Sequence, residues 1–276
     1  MALLNPLPGQ KLTPASLDVL LLPHAGALPS TYIPWVGPLR EAFGETSVRL
    51  STAVLPGHVS SGESAPRRAT ELHSLHRYGD RLAQEILAQR ISKDSSETLP
   101  LIIFGHSMGA LLAVETMRAF SEAGHAVLGT VLSASAAPVK RKRFARAPIY
   151  VRESAGELRE LNDREALEFL VKMGGIPREL ADQPEVALSF LPQIRRDFEL
   201  VDAYRFTPPP TFNTNNFLTL SGSEDDRAST EKMRGWHELL GVNGSHREFP
   251  GGHFYHQQHV PEIAAALAGF VDATPS

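Results

Sequence analysis

Ser107 is the residue whose type and surroundings best fit a nucleophile. It lies in the G-x-S-x-G segment Gly105–Gly109, between the apolar run Leu101–Phe104 and a stretch with helical periodicity. On a tight strand-to-helix turn, such a serine projects its hydroxyl above a sheet from a strained backbone conformation. The flanking glycines avoid collisions, and the helix N-terminus offers N–H groups to a developing oxyanion. The pattern predicts a nucleophile elbow, although a chance serine in an ordinary turn would look similar.

A serine hydroxyl needs a neighbouring base near neutral pH, and His253 is the best candidate among 11 histidines. It lies in the glycine-rich segment Pro250–Phe254, after the strand-like Arg247–Phe249 and before the last helical stretch. His256 and His259 follow at three-residue steps, a spacing also compatible with a metal site. No carboxylate lies within this local cluster, and a metal site would leave the serine turn unexplained. We therefore expect His253 to be a base and expect no metal ligands.

The third member of such a site is a carboxylate that orients the imidazole. Asp225 follows the strand-like segment Phe217–Gly222 and is our candidate, and the adjacent Asp226 stays open as an alternative. The chain order Ser107, Asp225, His253 is that of the α/β-hydrolases.

The oxyanion of such a reaction needs two backbone donors. One is expected to be the N–H of Met108, which directly follows the serine. The turn Pro23–Gly26 follows the first clear apolar run, and we expect the N–H of Ala25 to be the second donor. A plain tight turn is the alternative there.

Short apolar runs alternate with stretches of helical periodicity, which predicts a mostly parallel sheet with flanking helices. The predicted strands are Val19–Leu22, Leu101–Phe104, Thr130–Ser133, Phe217–Leu220 and Arg247–Phe249. The predicted helices are Glu71–Ala88, Ala110–Ala123 and Pro261–Val271. The resulting class is α/β, in a single domain over residues 1–276.

The interval 138–215 contains no clear strand and is far too long for one structureless loop. Its helix-like pieces are Glu157–Leu161, Arg164–Met173 and Val186–Tyr204. We interpret it as a helical lid insertion over the carboxyl edge of the sheet, where ligands of open α/β sheets bind. Asp197 and Asp202 fall inside this lid insertion.

Composition narrows the function classes. The chain has 276 residues, 42% hydrophobic and 21% charged, with a net charge of −4 and no cysteine. These values disfavour a disordered chain or a nucleic-acid-binding protein and exclude cysteine nucleophiles and Cys-ligated metals. Since no signal peptide or membrane-spanning run is apparent, we expect a cytoplasmic protein, monomeric and without membrane contact.

Several segments together resemble the type II thioesterases of polyketide and nonribosomal peptide synthesis. The serine and histidine motifs are shared with many hydrolases, whereas the two lid segments are more specific. In two places the sequence departs from the family pattern: His58 replaces an arginine, and Asp226 replaces a proline. The segments that carry the resemblance are Leu22–Gly26 with Trp35, Leu55–Gly57, Phe104–Gly109, Phe169–Pro177, Leu191–Asp197 and Pro250–Phe254.

The resemblance implies an α/β-hydrolase that removes acyl groups from the phosphopantetheine arm of acyl or peptidyl carrier proteins, in editing or release, without a cofactor of its own. The basic residues Lys140, Arg141, Lys142 and Arg143 are a candidate docking patch for an acidic carrier, or else a solvated loop. A small-molecule carboxylesterase or lipase and a non-catalytic ligand-binding protein on the same fold remain the alternatives.

Overall fold

The computed structural model describes most of the chain, with several gaps. The described ranges are 3–8, 15–44, 46, 48–55, 74–91, 99–138, 150–152, 158–176, 182–208 and 212–272. The basic patch 140–143 and the segment 56–58 lie outside these ranges. Among the described helices, none combines the length and the apolarity needed to cross a membrane.

A seven-stranded sheet forms the centre of the described residues. In spatial order its strands are β1 (Leu4–Pro6), β3 (Val48–Ala53), β2 (Leu17–Leu22), β4 (Leu101–His106), β5 (Val127–Ser133), β8 (Thr214–Gly222) and β9 (Ser245–Phe249). Only β1 pairs antiparallel, against β3, and all other pairs are parallel. The predicted mostly parallel sheet is confirmed.

Two neighbouring strands at one end of the sheet, β1 and β3, were missing from the sequence prediction. Val48–Ala53 mixes polar with apolar residues, and Leu4–Pro6 is only three residues long, so neither forms the unbroken apolar run typical of the central strands. By contrast, every residue of Leu17–Leu22 and Leu101–His106 is buried. The complete burial of these two strands explains why the sequence revealed them.

Seven α-helices flank the sheet or cover its edge within the described residues. They are α1 (Val36–Phe43), α2 (Leu75–Ile91), α3 (Met108–Glu122), α4 (Asp163–Met173), α5 (Pro184–Ala203), α6 (Thr230–Leu240) and α7 (Val260–Asp272). Helix α2 packs against α3, and α1 packs against α7. Short 3₁₀ turns at Pro29–Trp35 and Tyr255–Gln257 complete the described elements.

The lid insertion contains strands as well as helices, which corrects the prediction. Its helix-like pieces Arg164–Met173 and Val186–Tyr204 correspond to α4 and α5, but the predicted helix at Glu157–Leu161 is wrong. Strand β7 (Leu158–Glu160) lies there, antiparallel to β6 (Tyr150–Arg152). A five-residue piece is too short to sustain a helix. In addition, Asn162 forms a capping box with Glu165, and this fixes the start of α4 at Asp163.

Helices α4 and α5 share an apolar cluster that is separate from the main core. The two helices bury these side chains between them, so the lid insertion packs largely on itself. The buried residues of this lid cluster are Ala166, Leu167, Leu170, Ile176, Ala187, Leu191, Ile194 and Phe198.

Candidate active site

Ser107 occupies the sharp turn between β4 and α3. Its backbone has φ 55° and ψ −117°, a left-handed conformation rare for residues other than glycine. A Cβ on Gly105 would lie 2.1 Å from the carbonyl oxygen of Gly109, and one on Gly109 would lie 2.1 Å from that of Leu22. Both positions therefore require glycine for steric reasons. The strained turn is held by the N–H of Ser107, which donates to the carbonyl of Ser133 at 2.8 Å.

His253 and Asp225 lie beside this serine, at the carboxyl edge of the sheet. The Nε2 atom of His253 is 3.0 Å from Ser107 Oγ, and its Nδ1 atom is 2.7 Å from Asp225 Oδ2. The three side chains thus form one hydrogen-bonded chain, although 146 residues separate the serine from the histidine. Such an arrangement can move a proton from the hydroxyl to the imidazole.

The carboxylate of Asp225 is buried but well supplied with donors. Burial opposes its ionisation, yet the hydrogen bond and charge of His253, with the N–H groups of Arg227 and Ala228, hold the pKa of Asp225 below its ordinary value. Asp225 therefore stays charged at neutral pH. The neighbouring Asp226 is exposed, and its carbonyl accepts a hydrogen bond from Lys232. The structure brings Asp225, and not Asp226, to the imidazole.

The expected oxyanion donors belong to two residues that line the same cavity as Ser107. Within the turn after β2, the N–H of Ala27 donates to the carbonyl of His24 at 3.2 Å. The N–H of Gly26 donates to Asp197 at 2.7 Å. Among the described residues, no hydrogen bond uses the N–H of Ala25 or that of Met108, and both residues line the same cavity as Ser107. These two N–H groups remain available to a negatively charged oxygen.

A mainly apolar cavity of about 910 Å³ opens beside Ser107 and His253. Its floor includes the turn at Ala25 and the start of α3, and its other wall comes from the lid insertion. This size and lining suit an acyl chain of moderate length. The lid residues that face the cavity include Leu170, Met173, Ile176, Phe190, Ile194 and Phe198.

The lid insertion also contacts the loop of His253, which sequence reasoning did not predict. Phe254 lies so close to Gly175 that an added Cβ there would be 3.2 Å from its ring. The lid insertion also contacts the loop of Asp225: the guanidinium of Arg227 lies 5.1 Å from the ring centroid of Phe169 in α4. The paired glycines after α4 were a sequence signal for this contact, since a backbone that must pass close to an aromatic ring needs small residues.

Buried histidines lie behind the catalytic candidates. The rings of His106 and His256 stack with centroids 3.7 Å apart, and both side chains are fully buried. His24 and His253 lie nearby, at 6.1 and 5.3 Å from the ring of His106. Burial, followed by the charges of the neighbouring histidines, lowers the pKa of His106 and His256 well below the ordinary value. Both rings are therefore neutral at neutral pH.

This burial predicts a loss of stability in mild acid. Because the folded pKa values of His106 and His256 are lowered, their contribution is complete above about pH 6.5, the unfolded value, and is lost as the pH falls below it. Each ring can change the free energy of unfolding by up to about 1.4 kcal/mol per pH unit. The free energy of unfolding, measured by urea unfolding at several pH values between 5 and 8, should change less steeply with pH for His256→Phe than for the wild type. His125→Phe, at a partly exposed ring, is the control, and equal slopes for all three proteins would contradict the prediction.

The three histidines considered as metal ligands are engaged separately. His253 faces Ser107 and Asp225, His256 is buried against His106, and the Nε2 atom of His259 is 3.1 Å from the carbonyl of Pro250. No group of three or more side chains suited to a metal ion occurs in the described part of the chain.

Comparison with known proteins identifies the family. The model of the thioesterase domain matches residues 18–270. Thioesterase TesA of Mycobacterium marinum (strain ATCC BAA-535 / M) is 31% identical over 261 residues, which cover 94% of this chain and 91% of that protein. The probable anguibactin biosynthesis thioesterase AngT of Vibrio anguillarum is 30% identical over 178 residues, covering 63% and 65% of the two chains.

A solved structure shares the fold. The type II thioesterase BorB from the borrelidin biosynthetic cluster superposes with a TM-score of 0.76 at 24% identity, covering 98% of this chain and 97% of that one. This likeness confirms the predicted α/β-hydrolase architecture. Since the family model spans nearly the whole described sheet and the elements that carry Ser107, Asp225 and His253, the chain belongs to the thioesterase domain family.

Proposed function

We propose that this chain is a type II thioesterase that hydrolyses acyl thioesters held on the phosphopantetheine arm of carrier proteins, in polyketide or nonribosomal peptide synthesis. The observation that carries the proposal is the hydrogen-bonded chain from Ser107 through His253 to Asp225, which opens onto an apolar cavity. The names of AngT and BorB, which link those proteins to biosynthetic pathways, support the choice of pathway type.

In the proposed mechanism, His253 Nε2 takes the proton of Ser107 as Oγ attacks the thioester carbonyl carbon. The N–H groups of Ala25 and Met108 hold the resulting oxyanion. The C–S bond then breaks, the imidazolium returns its proton to the leaving thiolate, and an acyl ester remains on Ser107. Water attacks this ester with His253 again as base, which frees the acid and restores the serine. Asp225 stabilises the imidazolium throughout.

The lid insertion, residues 138–215, is proposed to shape the acyl site within a single domain. Apolar side chains of α4 and α5 line the cavity, so an aliphatic acyl chain would displace water from them while its carbonyl reaches Ser107. No cofactor is needed in this scheme, since the only prosthetic arm is the phosphopantetheine of the partner.

A panel of matched substrates tests the proposal. One acyl group is presented on a phosphopantetheinylated carrier protein, as a free pantetheine thioester and as the corresponding oxygen ester. We expect kcat/KM to be highest for the carrier-bound thioester, because the partner protein adds binding energy. A preference for the oxygen ester would favour a carboxylesterase. Failure of a fluorophosphonate probe to label the protein would favour a binding protein instead.

We propose Lys140, Arg141, Lys142 and Arg143 as the docking patch for the carrier, which is typically acidic. In the same panel, a variant with glutamate at these four positions should raise KM for the carrier-bound substrate, since complementary charge mainly accelerates association. The free thioester serves as the internal control, and an equal effect on both substrates would remove the docking role.

A further inference from the structure

Asp197 connects the lid insertion to the turn that carries the oxyanion donor. It lies on α5, is only 2% exposed, and its Oδ2 atom accepts the N–H of Gly26 at 2.7 Å. The two residues are 171 positions apart in the chain. This bond leads directly from a helix over the cavity to the residue after Ala25.

A steric contact reinforces the hydrogen bond. Gly26 has φ +79°, and a Cβ at this position would lie 2.6 Å from Cγ1 of Ile194. Ile194 precedes Asp197 by three residues, so both side chains lie on the same face of α5. Helix α5 therefore contacts the turn through the apolar side chain of Ile194 and binds it through the carboxylate of Asp197.

A second element, helix α2, also lies near the buried carboxylate of Asp197. Burial, and then the charge of Asp197, raise the pKa of Tyr78, a buried residue of α2. The carboxylate is therefore close to α2 as well as to the turn. A carboxylate in such a place is costly unless hydrogen bonds compensate for the lost water. Its bond to Gly26 supplies such compensation at the same time as it fixes the turn.

The N–H groups of the turn show what this bond accomplishes. Gly26 donates to Asp197 and Ala27 donates to His24, whereas among the described residues no hydrogen bond uses the N–H of Ala25, a residue that lines the same cavity as Ser107. The bond of Gly26 fixes the plane of the peptide that follows Ala25, and with it the direction of the turn. Without an acceptor, the Gly26 N–H would be drawn towards another oxygen, including the one developing on the substrate.

We infer that Asp197 is a positioning residue of the oxyanion hole, which makes the geometry of the hole depend on the seating of α5. This inference rests on the proposed function, because it assumes that the N–H of Ala25 holds the oxyanion. It gives the lid insertion a part in the chemical step in addition to its contacts with the acyl chain.

The test compares three variants of the full chain on a pantetheine thioester. Asp197→Ala should lower kcat/KM by about 10- to 100-fold, because the Ala25 N–H would be misplaced relative to the oxyanion but not lost. Asp197→Asn keeps an oxygen acceptor and should recover most of the activity. Glu199→Ala, on the exposed side of the same helix, should match the wild type. If the alanine variant fails to fold, Asp197→Leu replaces it under the same criteria.

A second measurement separates positioning from a structural tie. A trifluoromethyl ketone analogue of the substrate forms an oxyanion on Ser107, whereas an analogue with a methylene group in place of the carbonyl has no such oxygen. For Asp197→Ala, we expect the affinity for the ketone to fall in proportion to kcat/KM, with the affinity for the methylene analogue unchanged. Wild-type kinetics, or a kinetic loss without a loss of ketone affinity, would overturn the inference. Turnover near the wild-type rate in Ser107→Ala would refute the proposed function itself, so the two failures are distinguishable.

Discussion

Ser107→Ala should lower kcat for acyl thioester hydrolysis by about 10⁴- to 10⁶-fold, the largest effect expected of any single substitution. Without the hydroxyl no acyl-enzyme forms, and only catalysis by the oxyanion donors and by substrate binding remains. The fold should be unaffected, since alanine adds no atoms to the turn. Burst kinetics with intact-protein mass spectrometry would measure the loss of the covalent intermediate.

Ser135→Ala is a matched control for this experiment, because Ser135 also lines the cavity but lies outside the hydrogen-bonded chain. It should keep the burst and the fluorophosphonate label. A covalent acyl adduct in Ser107→Ala would mean that another residue is the nucleophile.

Asp225→Asn should lower kcat by about 10⁴-fold. The amide group can donate to Nδ1 of His253 and thereby favour the tautomer that carries its proton on Nε2, which cannot accept the proton of Ser107. The geometry would persist while the proton pathway fails. Steady-state kinetics near neutral pH, where the lowered pKa of Asp225 keeps the wild-type carboxylate charged, gives the comparison.

The adjacent Asp226→Asn provides the control for the choice between the two acids. Its side chain is exposed, so its removal should change kcat by no more than a few-fold. If Asp226→Asn proved the more damaging substitution, the acid would have to be reassigned.

Local patterns were sufficient to predict the central strands and to select Ser107 and His253, which the structure places within hydrogen-bonding distance of each other. The nucleophile turn is encoded within five consecutive residues, since two glycines are needed where backbones meet, and the buried strands form unbroken apolar runs. The α/β class followed from the alternation of those runs with helical stretches, and the family comparisons confirmed it.

Features that depend on distant contacts were not predictable in this way. The sequence favoured Asp225 but left Asp226 open, because only the folded loop determines which carboxylate faces the imidazole. The bond between Asp197 and Gly26 joins two segments whose proximity depends on the whole lid insertion. The strands β6 and β7 were missed because each is three residues long and pairs only with the other.

The separate packing of the lid cluster has a consequence for divergence. Since the apolar residues of α4 and α5 belong to a cluster separate from the main core, substitutions among them should change the packing of the lid insertion more than that of the sheet. The acyl preference can therefore change during evolution while Ser107, His253 and Asp225 keep their arrangement. The exceptions are the positions where α5 contacts the turn at Gly26, because substitutions there would also disturb the oxyanion donor.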